Sequence, residues 1–297
     1  MVIASMVLAA GLGTRLRPLT DHCAKPLVPV GDRPMVAHVL ERLRTAGVSR
    51  IVVNSHHRVD EVRDFFRSQP HVRVSEEQEL LGTAGGVAYA SESLGEGDVV
   101  VWNADILADV DLPALLQSHT GQTEGPRVAT LVLQRRGRGE GNVGIDETGR
   151  IVRLRQMRVA DEAFGGEFLG VHVIGAALRS RLPPRGCLVG DVYIPALRSG
   201  AALYGFPHSA PFFDVGTPGG YLDANLDWLE ARRAQHWAGA GVHVESRVIL
   251  ARALIGEGAR VLGSGVLARC VVWPGATAIA PLQDAVVMRS ATVPVGR

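Results

Sequence analysis

The sequence predicts an α/β protein in which a mostly parallel, doubly wound sheet is followed by a short repetitive tail. Apolar strand-like runs alternate with helical runs through most of the chain, and the connections between them are short. Near Gly239 the pattern changes, and apolar residues recur at every sixth position. We therefore divide the 297 residues into a domain of residues 1–239 and a smaller domain of residues 240–297.

The first elements alternate between strand and helix. Val36, Val39, Leu40 and Leu43 share one helical face, and Gly47 is expected to end that helix. The predicted order is strand 2–10, helix 35–46, strand 51–54, helix 59–66, strand 72–74, helix 83–91 and strand 99–102. Ligands of such sheets bind beyond the carboxyl ends of the strands, so the loop after the first strand and Asp105 should share one edge.

The following elements continue the domain. They are predicted as helix 111–119, loop 121–126, strand 128–134, hairpin 142–155 with its turn at 147–149, strand 168–174 and helix 221–235. Leu222, Leu226 and Leu229 share one face of the last helix.

The tail has a six-residue period, which is neither helical nor a simple strand alternation. Its apolar positions are Ile249, Ile255, Val261, Leu267, Trp273 and Ile279. Small residues between them are typical of hexapeptide repeats, and we predict a short left-handed β-helix. Such a short solenoid exposes an end, so we expect it to pack against the larger domain or to join a second subunit in a homo-oligomer.

Bulk composition excludes several classes of partner. The net charge is +1 and no block of like charge recurs, so we expect neither a nucleic-acid nor a membrane partner. Cys23, Cys187 and Cys270 lack metal-ligand spacing and are expected to be reduced thiols of a cytoplasmic protein. The N-terminal apolar run is broken by Gly11 and lacks the pattern of a signal peptide.

The loop after the first strand has the composition of an anion site. It reads Leu8-Ala9-Ala10-Gly11, then Gly13-Thr14-Arg15-Leu16, and Lys25-Pro26 follows. Small residues let an anion approach the backbone, and two cations can neutralise it. Leu16 stands where a dinucleotide fingerprint needs glycine, and the chain has no Gly-Lys-Ser/Thr of a P-loop. These features favour a nucleoside triphosphate site.

The whole run through Leu27, including Pro18-Leu19-Thr20, resembles the sugar-1-phosphate nucleotidyltransferases, also called nucleotide-sugar pyrophosphorylases. It is most similar to enzymes of mannose-, heptose- and N-acetylmuramate-1-phosphate. The resemblance extends to about Gln235 and implies a Rossmann-like, doubly wound mixed sheet. It also implies that a nucleoside triphosphate and a sugar-1-phosphate react to give a nucleotide-sugar and pyrophosphate.

The resemblance implies roles for individual residues around the nucleotide. Arg15 and Lys25 match phosphate-contacting positions and are our candidate catalytic residues, because fixed cations offset the charge of two anionic substrates. Glu77 or Gln78 is a candidate base contact, whereas Glu76 and Glu79 are expected to be solvated. The candidate nucleotide-binding residues are Leu8, Ala9, Ala10, Gly11, Gly13, Thr14, Arg15, Gly82, Thr83 and Gly85.

Two aspartates are candidate ligands for Mg²⁺. Asp105 closes an apolar strand, and Asp214 follows Pro211-Phe212-Phe213. Magnesium prefers oxygen ligands and uses one or two carboxylates together with phosphates and water. The resemblance matches both to the family's metal-binding aspartates. The alternative for Asp214 is a helix N-cap or a turn residue.

The sugar side departs from the family pattern. Gly144 and Gly170 match glycines beside the sugar, but Gln156-Met157-Arg158 replaces the usual Glu-Lys-Pro. Arg155 or Arg158 can substitute for the missing lysine. We favour GTP with mannose- or heptose-1-phosphate. The alternatives are a UTP- or dTTP-dependent enzyme of the same family and a non-catalytic regulatory subunit that binds a nucleotide-sugar.

Overall fold

The computed structural model describes residues 4–121 and 127–296. Residues 2–3 of the first predicted strand and residues 122–126 of a predicted loop lie outside the described residues. The chain forms two compact units, of which the first comprises Met1–Gly11 and Val39–Phe212 and the second comprises Leu12–His38 and Phe213–Arg297. The division into a domain of residues 1–239 and a smaller domain of residues 240–297 stays a prediction.

The strands of the described residues are, in chain order, β1 (Ala4–Leu8), β2 (Pro29–Val30), β3 (Arg33–Pro34), β4 (Arg50–Ser55), β5 (Val72–Glu76), β6 (Val99–Asn103), β7 (Ile106–Ala108), β8 (Ala129–Arg136), β9 (Val143–Ile145), β10 (Ile151–Leu154), β11 (Met157–Arg158), β12 (Phe164–Ile174), β13 (Leu203–His208), β14 (Phe212–Asp214), β15 (His236–Ala238), β16 (His243–Val244), β17 (Val248–Ala251), β18 (Ala253–Ile255), β19 (Arg260–Val272), β20 (Thr277–Val287) and β21 (Thr292–Pro294).

The α-helices are α1 (Met35–Thr45), α2 (Val59–Phe66), α3 (Gly82–Tyr89), α4 (Ser91–Leu94), α5 (Leu112–Thr120), α6 (Ala176–Arg179), α7 (Ile194–Arg198) and α8 (Pro218–Ala231). Short 3-10 turns cover Thr14–Leu16, Leu19–Asp21 and Lys25–Leu27, and a π-helix covers Leu188–Tyr193.

The first unit is built on a mixed ten-stranded sheet. Its order is β11-β10-β9-β12-β6-β1-β4-β5, with β8 paired to β12 and β13 paired to β8. Strands β6, β1, β4 and β5 run parallel, whereas β12 is antiparallel to β6, β8 and β9. The prediction of parallel strands therefore holds for one half of the sheet, and the mixed α/β architecture is confirmed.

The parallel half reads as continuous apolar sequence because both of its faces are covered. Met6, Val52 and Val101, one from each of three neighbouring strands, are fully buried. Helix α1 buries Val36, Val39, Leu40 and Leu43, as their spacing predicts. Gly47 follows it in the left-handed region with φ of 80°, a conformation that glycine adopts without strain.

The second unit contains the β2–β3 hairpin, α8 and a seven-stranded sheet. In this sheet β15 to β20 pair in parallel, and β21 is antiparallel to β20. Partners such as His236 with Ala253 and Arg260 with Thr277 are offset by about 17 residues, close to three hexapeptides. A β-helix remains our prediction for this segment.

The six-residue period marks the interior of this sheet only in part. Ile255, Val261 and Leu267 are buried, but Ile249 and Ile279 are 64% and 69% exposed. Small side chains complete the interior at Ala253, Ala259, Ala276, Ala278 and Ala285. An apolar residue at the period is therefore not by itself a core residue here.

Candidate functional site

The carboxyl ends of β1 and β6 meet at one edge of the sheet in the first unit. Leu8 lies in register with Asn103, and the Ala104 N–H donates to the Leu8 carbonyl at 2.9 Å. Asp105 follows directly and is half-buried. The start of the glycine loop and Asp105 therefore share the edge that the alternation of strands and helices predicts.

The three candidate residues directly after β1 are not equally open. The Ala9 N–H donates to Asn54 Oδ1 at 2.6 Å, so this amide is used within the protein. Ala10 is buried, whereas Gly11 is exposed and has open space where a side chain would stand. A phosphate can therefore approach the backbone most closely at Gly11.

The candidate base-binding segment, Leu81–Gly85, packs against a chain segment that the motif did not indicate. The Ala84 N–H donates to the Gly186 carbonyl at 2.9 Å, and Thr83 Oγ1 accepts the Leu188 N–H at 2.8 Å. A Cβ on Gly82 would overlap the Gly186 carbonyl. These small residues therefore serve close packing in addition to any contact with a base.

The acidic residues beside that segment have separate environments. Glu77 is 3% exposed, whereas Glu76 pairs with Arg63 and Glu79 pairs with Arg185. The hydrogen bond from Arg63 lowers the pKa of Glu76. Glu79 is solvated as expected, and Glu77 is an internal group whose partners are described below.

Gly144, a candidate sugar-binding residue, lies directly beneath a buried carboxylate. A Cβ on Gly144 would overlap the side chain of Glu162, which is fully buried and accepts from Arg153 Nε at 2.6 Å. Burial would raise the pKa of Glu162, but the bonds from Arg153 and the Gly139 N–H outweigh it and leave the pKa below its ordinary value. The absence of a side chain at Gly144 thus serves the Glu162–Arg153 pair.

Gly170, the second candidate sugar residue, lies beside the end of β6. Its φ is 78°, and a Cβ there would overlap the Asn103 side-chain amide. Asn142 is bonded to β12, the strand that contains Gly170, because its Oδ1 accepts the Phe168 N–H at 2.9 Å. The first unit thus brings Gly170, Asn103 and the loop before Gly144 together.

The two arginines that can replace the missing lysine differ in their partners. Arg158 faces Glu162 at 3.6 Å and Asp161 at 3.9 Å. Arg155 is exposed, and among the ion pairs of the described residues none includes it. Its Nη1 lies 4.0 Å from the Cβ position of Gly190, in the π-helix that follows Gly186. Arg155 is therefore the more available cation.

In the second unit, Lys25 packs beside the glycine loop. A Cβ on Gly13, whose φ is 66°, would stand 2.7 Å from Thr20 Cγ2 and 3.3 Å from Lys25 Cβ. Thr20 Oγ1 also donates to the Gly13 carbonyl at 2.9 Å. Gly13 therefore lies against both Thr20 and Lys25. This close packing is possible because Gly13 has no side chain.

Arg15 and Asp214 meet over another glycine of the second unit. The Cβ position of Gly216 is 2.6 Å from Asp214 Oδ1 and 2.8 Å from Arg15 Nη2. Thr217, and not Asp214, caps α8, because its Oγ1 accepts the Gly220 N–H at 3.2 Å. The N-cap alternative for Asp214 is therefore wrong, and its carboxylate is exposed at the end of β14.

Asp105 in the first unit and Asp214 in the second each offer carboxylate oxygens, the ligand type that Mg²⁺ prefers. Among the described residues no group of three or more His, Cys, Asp or Glu side chains is placed to hold a metal by itself.

The second unit also contains a cavity of about 240 Å³ that no candidate site residue lines. Its wall includes Tyr221, Asn225, Trp237 and Trp273. Trp273 Nε1 donates to Tyr221 Oη at 3.0 Å, and Asn225 Oδ1 accepts the Gly31 N–H at 2.9 Å. These polar groups are satisfied internally.

Among the described residues no helix is long and apolar enough to cross a membrane.

Comparison with known proteins identifies the family of this chain. Residues 4–158 match the model of the family described as nucleotidyl transferase. The chain is 28% identical to a probable mannose-1-phosphate guanylyltransferase 1 of Oryza sativa subsp. japonica over 92% of this chain and 81% of that protein. It is 33% identical to a mannose-1-phosphate guanyltransferase of Aspergillus fumigatus over 76% of this chain and 64% of that protein.

Solved structures share the fold. HddC from Yersinia pseudotuberculosis, complexed with GMP-PN, superposes with a TM-score of 0.64 at 21% identity, over 77% of this chain and all of that one. A putative glucose-1-phosphate thymidylyltransferase from Bacillus anthracis gives 0.63 at 22% identity, over 75% and 94%. With the family match across more than half of its residues, the chain belongs to the nucleotidyl transferase family.

Proposed function

We propose that this protein transfers the nucleotidyl group of GTP to mannose- or heptose-1-phosphate and releases pyrophosphate. The observation that carries the proposal is the structure of the glycine loop. Gly11 is open to an anion, Lys25 packs against Gly13, and Arg15 lies over Gly216 beside Asp214. This is how a chain would hold two cations for the phosphates of a triphosphate.

The reaction joins two anions, so charge neutralisation and alignment are the main requirements. A phosphate oxygen of the sugar-1-phosphate attacks the α-phosphorus while the bond to the pyrophosphate oxygen breaks. Arg15 would hold the triphosphate with its planar fork of donors, and Lys25 would follow charge as it develops on the transferring group. Asp105 and Asp214 would hold Mg²⁺, which supplies further positive charge to the phosphates when bound.

The choice of substrates is supported by the relatives. Those of Oryza sativa and Aspergillus fumigatus are named for mannose-1-phosphate and guanylyl transfer, and HddC was solved with GMP-PN. For the sugar phosphate we propose Arg155 as the contact, because Arg158 is engaged by Glu162 and Asp161. A UTP- or dTTP-dependent reaction is the alternative on the nucleotide side.

A non-catalytic, nucleotide-sugar-binding subunit is the second candidate. It is favoured by one observation, the absence of the family's lysine in Gln156-Met157-Arg158. Against it, Arg15, Lys25, Asp105 and Asp214 are all retained. In either case we propose a cytoplasmic protein, because nucleoside triphosphates are made there. We also propose that the C-terminal sheet is a left-handed β-helix that takes part in a homo-oligomer.

The test is a panel of GTP, UTP and dTTP with mannose-, heptose-, glucose- and N-acetylmuramate-1-phosphate in the presence of Mg²⁺. Pyrophosphate release should be fastest with GTP and mannose- or heptose-1-phosphate, and the Arg15→Ala variant should abolish it. Absence of pyrophosphate with every pair would contradict catalysis. Tight binding of a nucleotide-sugar without turnover would then favour the regulatory alternative.

A further inference from the structure

Glu77 is a buried carboxylate whose partners are all uncharged. Its Oε1 accepts from Asn54 Nδ2 at 2.7 Å, and its Oε2 accepts the Leu81 N–H at 3.2 Å. Among the ion pairs of the described residues none includes Glu77. A buried carboxylate is costly unless its oxygens are hydrogen-bonded, so the positions of these two donors are strongly constrained.

Asn54 extends this network to the glycine loop. It lies at 3% exposure in β4, and its Oδ1 accepts the Ala9 N–H at 2.6 Å while its Nδ2 serves Glu77. The orientation of the amide is therefore fixed by its two partners. One continuous chain of hydrogen bonds runs from Ala9 through Asn54 and Glu77 to Leu81.

Gly86 makes room for this pair. A Cβ on Gly86 would stand 2.8 Å from Asn54 Nδ2 and 2.8 Å from Glu77 Oε1, closer than such atoms pack. The Asn54–Glu77 pair therefore explains, without any ligand, why position 86 lacks a side chain. An apolar pair of similar volume would stabilise a protein core at least as well as a buried polar network. Its connection of Ala9 to Leu81 therefore explains the presence of the network better than a contribution to stability does.

We propose that Asn54 and Glu77 are a positioning pair, which holds the loop Leu8–Gly11 at a fixed separation from the segment Leu81–Gly85. The inference rests on the proposed function, because these two segments are its phosphate and base contacts. The pair touches no substrate in this account. It acts by keeping Ala9 and Leu81 in place, so that the triphosphate and the base are bound by one rigid surface.

Donor and acceptor chemistry supplies a sharp test. In Glu77→Gln, the amide Nε2 faces Asn54 Nδ2, which places two donors together if Oε1 still accepts from Leu81. In Asn54→Asp, two carboxylates face each other. In the double variant N54D/E77Q, an aspartate accepts from Ala9 and from the glutamine Nε2, while the glutamine Oε1 accepts from Leu81. Every donor then has an acceptor again.

Steady-state kinetics with GTP and mannose-1-phosphate should show this pattern. We expect each single variant to raise KM for GTP about tenfold or more and to change KM for the sugar phosphate by less than about twofold, because a displacement of about 1 Å is enough to weaken a positioned contact strongly. The double variant should return KM for GTP to within about threefold of the parent protein. Thr130→Val is the control, since it removes a buried partner of His119 elsewhere in the sheet.

Two results would overturn the inference. In the first, the single variants lose only kcat, in proportion to the loss of folded protein, and T130V behaves in the same way. A pair with a purely structural role would give that result. The other is a double variant no better than the poorer single one. If the parent protein shows no turnover with any substrate pair, the proposed function fails instead. Hydrogen exchange of the Ala9 amide then tests the positioning pair. E77Q should accelerate this exchange, because the effect is transmitted through Asn54, and N54D/E77Q should return it to the rate of the parent protein.

Discussion

Gly144→Ala tests whether this glycine serves the internal ion pair or the sugar. The added methyl group would overlap the Glu162 carboxylate and stand 3.0 Å from Arg153 Cβ. Glu162 has no exposed side-chain surface and is held by Arg153 Nε at 2.6 Å and by the Gly139 N–H. The methyl group can be accommodated only if this carboxylate shifts away, so we expect the substitution to break these bonds.

The cost follows from the pair that is broken. Loss of a buried ion pair with one charge left unpaired typically costs about 3–5 kcal/mol. Because Arg153 is 12% exposed and also donates to three backbone carbonyls, we take the low end and expect G144A to lower the free energy of unfolding by about 3 kcal/mol.

The assay is urea unfolding followed by tryptophan fluorescence in a double-mutant cycle with Glu162→Ala. Glu162→Ala is itself destabilising, but it vacates the space above Gly144. Adding G144A to that background should therefore cost less than about 0.5 kcal/mol. An equal cost of G144A in both backgrounds would show that the added methyl group does not act through Glu162. A G144A protein of normal stability with a raised KM for the sugar phosphate would restore Gly144 as a sugar contact.

Three further predictions concern charge. Asp105→Asn should lower kcat at least about a hundredfold with the fold intact. The control is Asp109→Asn, which removes an exposed partner of Arg42 and should leave kcat unchanged. Normal Mg²⁺-dependent turnover of D105N would contradict the proposed role of Asp105 as a metal ligand. Lys25→Ala should lower kcat more than it weakens GTP binding, and a change in KM alone would make Lys25 a ground-state anchor. Burial lowers the pKa of His172 from 6.5 to about 3, so the unfolded chain binds a proton that the folded protein does not. Stability should therefore fall as pH drops below 6.5, with a slope that approaches about 1.4 kcal/mol per unit below about pH 5.5. His172→Phe, which keeps the contacts with Phe168 and Tyr193, should have a shallower slope in urea unfolding; an unchanged slope would show that His172 is not buried as a neutral ring.

The elements that could be predicted from sequence are those whose signal is local. Helix α1 follows from the spacing of Val36, Val39, Leu40 and Leu43, and α2 from the same kind of pattern. The π-helix Leu188–Tyr193 and strand β13 were missed, because Gly190 and Pro207 interrupt any period there. The six-residue period overestimated the core at Ile249 and Ile279, since periodicity does not say which apolar side chains point inward.

The candidate site shows a similar division. Gly13 and Lys25 lie side by side because both belong to one short segment, whereas their roles at a nucleotide stay predictions. The reasons for Gly82, Gly144 and Gly170 could not be read from sequence. What fills the space above them comes from Gly186, Glu162 and Asn103, which are brought there only by the fold. The Asn54–Glu77 pair escaped notice for the same reason, although the excess of acidic residues before Leu81 was a visible signal.

The proposed reaction moves a nucleotidyl group and not a phosphoryl group. The most direct measurement follows the α-phosphorus of labelled GTP during incubation with mannose-1-phosphate and Mg²⁺. We expect the α-label to appear in a nucleotide-sugar and the γ-label to appear only in pyrophosphate. Retention of the α-label in GTP, or its release as GDP together with inorganic phosphate, would contradict nucleotidyl transfer.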